Sequence, residues 1–464
     1  PGVLYGPLRQ QRGAADASSL EQSPDLLAAE ARLAAALRAA PDDPALLDAK
    51  ARVDLLEWHA DAALASLQRA LAVAPDNAVY KTDLAAAYFE RAEMGAAQDY
   101  GAAAQALGGV LAGHPDDGVA RFNRAIVYER LTLYGEAVAD WQEYLRGDPH
   151  GPWADEARVH LQGDEKRLAQ PAGPAATVTP GAGPLGGFAD PEAALATAVL
   201  EWLPAVASPP APGAEAEARA LQTLASQVAA TYHDRWLQDF LAPPAMRRPA
   251  AGVTQLVAAV RSNQQGDPSR ALTQGLRAAL LLAAAGNAAG ELRARFETVY
   301  ALHRLQAAGR CRSAAEALRR QAAQRGYPWL QVQALFEDTG CTYMAGDIER
   351  SRRLAGRALA TAQASGYRSL ELRSLGAVIE TADDLGDTGE GWRRGLEGLH
   401  RYWQGHYDPL RGYEFYAALG STAESASEWS WRRPWCTPRC GWRRPATTSA
   451  SRPCPGNAWV GWIR

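Results

Sequence analysis

Four prolines at near-constant intervals limit what this chain can fold into more than any other feature. Pro41 in "APDD", Pro75 in "APDN", Pro115 in "HPDD" and Pro149 in "DPHG" lie 34, 40 and 34 residues apart. Four residues before each proline stands Leu37, Leu71, Leu111 or Leu145, and eight before stands Leu33, Leu67, Leu107 or Trp141. Twelve before, every register holds alanine: Ala29, Ala63, Ala103 and Ala137. A spacing of four and eight keeps these residues on one face of a helix that the proline then ends. Alanine lets a paired helix approach closely, and the bulky residue one turn later fills the groove beside it. A chain with this pattern is expected to build helical hairpins that bury their faces only by stacking.

The period and the Ala-x3-bulky…Pro signature are those of the tetratricopeptide repeat. The first-helix half is present in "DLAAAY" (Asp83–Tyr88) and "NRAIVY" (Asn123–Tyr128), and the third repeat carries six extra residues in "RAEMGAAQDYG". A second array follows at about 40 residues. Its inner turns are assigned to Gly266, Gly309, Gly346 and Gly386, each followed five residues later by a small side chain: Ala271, Ala314, Ser351 and Gly391. Its outer turns are Gly286, Gly326, Gly366 and Gly405, with glycine expected as a left-handed cap. Hydrophobic residues make up 47% of the chain, with Ala and Leu dominant, so the fold class expected is all-α. Two tetratricopeptide-like solenoids joined by a Pro/Gly-rich linker are expected. The boundaries are an extended segment 1–24, array one 25–162, linker 163–190, helical connection 191–250, array two 251–420 and an irregular tail 421–464.

Composition removes several function classes. A net charge of −4 with no basic stripe leaves no electrostatic footprint for nucleic acid. The longest apolar stretch, near Ala278–Ala285, falls far short of the roughly 20 residues a membrane span needs. Five cysteines are too few for a disulfide framework, and Cys311 and Cys341 inside helical pattern suit a reducing, cytoplasmic setting. Cys311 is assigned to an inter-helix turn, where Arg310 and Arg312 would lower a thiol pKa, but no base accompanies it. The eight histidines are scattered, and "GAGPLGG" (Gly181–Gly187) lacks the Lys-Ser/Thr of a phosphate loop, so no cofactor or metal is expected. The last 36 residues hold six of the fourteen Trp, three Cys and seven Arg, with no Leu, Lys, Asp or Glu. That composition is expected of GC-rich coding DNA read out of frame.

The stretches "SPDLLAAEARLAAAL", "LAVAPDNAVYKTDLAAAYFERAE" and above all "FNRAIVYERL…WQEYL" resemble the N-terminal repeats of large bacterial CHAT-domain proteins. "ALFEDTGCTYMAGDIERSRRLAGRALATAQASGYRSLELRSLG" fits the same relatives. Such proteins join tetratricopeptide arrays to a caspase-like cysteine peptidase domain. The resemblance implies either a protein-binding scaffold or the substrate-recruiting portion of such a peptidase, and a chain lying on either side of a membrane if an anchor precedes residue 1. No His/Cys peptidase domain is present in this sequence, so no catalytic residue carries over. The expected binding surface is a concave groove for a protein or peptide, lined by first-helix residues Asp48, Arg52, Phe89, Phe122, Ile126, Glu129 and Arg130, with Phe336 and Tyr343 in the second array. Phe89 and Phe122 would anchor apolar groups, and Arg52 and Arg130 would fork onto a carboxylate.

Overall fold

The computed structural model describes residues 24–169, 187–199, 214–242 and 251–425, apart from 406 and 408. The expected N-terminal segment, most of the linker and nearly all of the tail lie outside them. Every regular element among the described residues is helical. By internal contacts the chain falls into two compact units. Of the described residues, the first holds 24–169 with Thr388–Trp403 and 415–425; the second holds 187–387 with Gln404–Glu414.

In the first unit α1 (Pro24–Ala39), α2 (Pro44–Leu56), α3 (Ala60–Val73), α4 (Ala78–Glu93), α5 (Asp99–Gly113), α6 (Gly118–Arg130), α7 (Tyr134–Gly147) and α8 (Ala154–Leu168) follow as hairpins. The tetratricopeptide register forms the core: Ala63 with Leu67, Ala103 with Leu107 and Ala137 with Trp141 are all but inaccessible. The residues after three of the four prolines have their own role. Asp43 accepts from the amides of Ala45 and Leu46, Asn77 from Val79 and Tyr80, and Asp117 from Ala120, so these turns end one helix with Pro and cap the next with Asp or Asn, whereas the turn at Pro149 leads into α8 with no side-chain cap. The extra residues of the third repeat lengthen α4 to 16 residues, against 13 in α2 and α6, and enlarge the turn that follows. Helix α8 continues past the expected boundary at 162, with Asp164 buried on its last turns.

The second unit contains α9 (Pro191–Thr197), α10 (Ala214–Tyr232), α11 (Trp236–Leu241), α12 (Ala251–Gln264), α13 (Pro268–Ala284), α14 (Ala288–Arg304), α15 (Ala308–Arg325), α16 (Pro328–Met344), α17 (Ile348–Ser365) and α18 (Arg368–Asp384). The last two helices of the chain are α19 (Thr388–Trp403) and α20 (Pro409–Ser425), and α19 groups with the first unit. The period of the second array is more regular than its glycines suggest. Residues at positive φ in the inner turns are Gly266, Gln306, Gly346 and Gly386, each 40 apart, and Gly309 lies within α15. Gln306 makes the same turn as glycine: the Ala307 amide donates to the Leu302 carbonyl as that of Asp347 does to Thr342. Five residues on, the small side chain is therefore Cys311, in register with Ala271, Ser351 and Gly391, and not Ala314. Ser351 Oγ bonds the Thr339 carbonyl and Cys311 Sγ lies 3.7 Å from that of Val299, the equivalent carbonyl one repeat earlier. Cys311 is a fully buried helix residue joined to Cys341 by a disulfide across α15 and α16, not an exposed thiol in a turn.

The connecting helices belong to the core of the second array. Asn287 caps α14 itself, whereas Tyr327 and Tyr367, one and two repeats later, make no side-chain cap. Carboxylates from the connection substitute for them. Asp234 accepts the Trp329 amide at 2.8 Å and the Tyr367 hydroxyl at 3.0 Å, and Glu192 accepts the Ser369 and Leu370 amides at 2.9 Å each. Two helix N-termini are thus capped by chain more than 90 residues away in sequence.

Gly346 has φ +82° and nothing within 4 Å of an added Cβ, so Gly346→Ala bears a backbone penalty alone, about 1 kcal/mol by urea melts. Gln306→Gly at the equivalent turn is expected to leave stability unchanged or raise it by up to about 1 kcal/mol. Burial pushes Glu192 up to about 8, against the pull of the two amides it accepts. A carboxyl raised in the folded state stabilises fully below its unfolded pKa of 4.5, and the contribution is lost as pH rises through about 8. Melting temperature should therefore fall over that window, and Glu192→Gln should flatten the decline.

Candidate functional site

Successive first helices touch one another, α2 with α4, α12 with α14, α14 with α16 and α16 with α18, besides packing on their own hairpin partners. They form the first-helix row of each array, called the inner row below. A polar bridge crosses every junction in these rows. In the first array Arg52 of α2 meets Asp83 of α4 at 2.8 Å, Arg130 of α6 meets Glu93 of α4 at 2.9 Å, and His160 of α8 meets Glu129 of α6 at 2.8 Å. In the second, Asn263 of α12 donates to Glu297 of α14 at 2.5 Å. His303 of α14 meets Glu337 of α16 at 2.8 Å, and Arg373 of α18 donates to Gln333 of α16 at 3.1 Å. Gly340 makes one bridge possible, since a Cβ there would lie 2.5 Å from the His303 ring.

The expected site residues divide into two groups. Phe122 is enclosed by Trp141 at 4.8 Å, Tyr144 at 5.1 Å and Trp153 at 6.3 Å, so its ring is committed to the hairpin core rather than to a groove. Phe89 is also buried, edge-on to Tyr100, with the Arg130 guanidinium 5.8 Å from its centroid. Ile126 packs against the Phe122 cluster. Asp48, Arg52, Glu129 and Arg130 do share the inner row, but each is already engaged. Arg52 spans Asp48 at 3.1 Å and Asp83. Glu129 accepts from the Trp141 indole at 3.0 Å as well as facing His160.

Electrostatics follow from this crowding. Burial, then the neighbouring Asp83 carboxyl, lift Asp48 to about 7 against the pull of Arg52. Burial alone would raise Glu129, but its bonds to His160 and Trp141 outweigh that and hold it below the usual carboxylate range. Asp164 is lifted to about 8 by burial and by Glu129 beside it, while the Glu129 bond raises His160.

In the second array Phe336 and Tyr343 are half-buried on α16. The Arg373 guanidinium lies 4.4 Å from the Phe336 centroid, and Arg293 lies 4.6 Å from Phe296. Arg293, Phe296, Glu297, His303, Glu337 and Arg373 were not among the expected residues. The signal that would have found two of them is the period itself, since Phe296 and Glu297 stand 40 residues before Phe336 and Glu337. Among the described residues no group of three His, Cys, Asp or Glu side chains is placed to hold a metal, and no helix is long and apolar enough to cross a membrane.

Truncations separate packing from surface. Phe122→Ala should lower stability by about 3–5 kcal/mol, the range for emptying a buried aromatic site, and Tyr343→Ala by less than half of that in the same melts.

No family model and no curated protein sequence matches this chain. Among solved structures it is similar to the P58(IPK) TPR domain at 14% identity, TM-score 0.26, covering 83% of this chain and 89% of that one. It is similar to a Rap protein complexed with Competence and Sporulation Factor at 9% identity, TM-score 0.34, covering 84% and 87%. Yeast Tom70 aligns at 12% identity, TM-score 0.33, covering 82% and 80%.

Proposed function

We propose that the chain is a non-catalytic protein-binding scaffold whose inner helix rows take a protein or peptide partner; the Cys311–Cys341 disulfide removes the support that two reduced thiols gave to a cytoplasmic setting. The observation that supports this best is the pairing of half-buried aromatic rings with arginine planes on α14, α16 and α18. Phe296 lies under Arg293 and Phe336 under Arg373, with Tyr343 farther along α16. Aromatic and arginine side chains held in place before a partner arrives lose little rotamer freedom on binding, and those two types dominate interface energetics. Leu280 on α13, in the other helix row, is 73% exposed and serves as the comparison position.

The test uses a photo-crosslinking amino acid placed singly at Tyr343 or at Leu280 in the full chain, irradiated in a lysate of the source cells. Defined adducts are expected at 343 and few at 280. Equal labelling at the two positions would remove the basis for the inner-row assignment.

A further inference from the structure

The junction of α2 and α4 holds more negative charge than its own residues neutralise. Asp48 and Asp83 share one guanidinium, that of Arg52, and Asp48 is only 6% exposed with Oδ1 unpartnered. The other cations nearby are taken. Lys50 is bound to Asp54 on α2, and Arg91 to Asp61 of α3 and Asp99 of α5. Two carboxyls therefore face one arginine in a setting that burial makes intolerant of bare charge.

We infer that this junction of the first array receives a cationic side chain, arginine or lysine, from a peptide segment of a partner, which supplies the missing positive charge between Asp83 and Arg52. The inference rests on the reading of the inner rows as binding surfaces. The way in is at the rim, where Arg52 is 46% exposed and Asp83 17% by side chain. Before the partner arrives, a proton satisfies the excess. Burial with Asp83 beside it lifts Asp48 to about 7. Binding then exchanges that proton for the partner's cation, so affinity must rise with pH.

The experiment is fluorescence polarisation on the full chain. The probes are a labelled dodecapeptide of alternating arginine and alanine and its glutamate counterpart. The arginine peptide should bind at least about tenfold more tightly than the glutamate peptide, and about tenfold more tightly near pH 8 than near pH 6. Asp48→Asn with Asp83→Asn should weaken it about tenfold. That double variant relieves a like-charge contact but also removes the Arg52–Asp83 bridge, so Asp48→Asn alone, which keeps that bridge, is measured beside it and should weaken the arginine peptide in the same direction. Glu349→Gln, which neutralises an exposed carboxylate on α17, should bind as the parent does. Equal affinity for both peptides, or an arginine peptide indifferent to the double variant, overturns the inference. If that happens while crosslinks still gather at Tyr343, the cationic-segment inference fails and the scaffold reading stands.

Discussion

The structure depends on how closely two helices of a hairpin can approach, and one small side chain per repeat sets that distance. In the first array the position is alanine each time, Ala63, Ala103 and Ala137, followed one turn later by Leu or Trp. In the second it is Ala271, Cys311 and Ser351, at an unbroken 40-residue interval. Side-chain chemistry there varies freely because only volume is constrained. Cys311 and Cys341 show the consequence. Their Cα atoms are 5.5 Å apart, a spacing that suits a disulfide. A packing rule that selects small residues on both sides of a helix pair thus also brought two thiols within bonding range.

Close approach of the hairpins creates a second constraint. Successive first helices are drawn together, and polar groups at their junctions lose water. Such groups are tolerable only when paired, which accounts for a bridge at each of the junctions described above. Where the pairing is complete, as for His303 with Glu337, the row is stiffened. Where it is incomplete, as at Asp48, a buried carboxyl oxygen is left without a hydrogen-bond partner.

The sequence made the fold readable through volume and turn chemistry, which act locally. Ala-x3-Leu and Pro predict the hairpins because a helix face and a helix end are each specified within a dozen residues. The second array's exact interval was harder to read because Gln306 adopts the left-handed turn conformation that glycine marks elsewhere, and the nearby Gly309 drew attention to the wrong residue. Capping of α16 and α18 by Asp234 and Glu192 was not legible at all. Nothing local to Tyr327 or Tyr367 announces a cap supplied from another part of the chain.

Candidate site residues were harder still, because a groove ring and a core ring have the same helical spacing. Phe122 and Phe336 both sit on first helices, and the difference lies in what faces them. Phe122 meets Trp141 and Tyr144 from the next helix and Trp153 from the next turn, large rings that close over it. Phe336 stays half-buried, with an arginine over its face. A guanidinium on a ring keeps that ring partly solvated and available, since its planar face can stack while its edge still donates hydrogen bonds. By that criterion the second array keeps Phe296 and Phe336 partly solvated, whereas the first array buries Phe89 and Phe122.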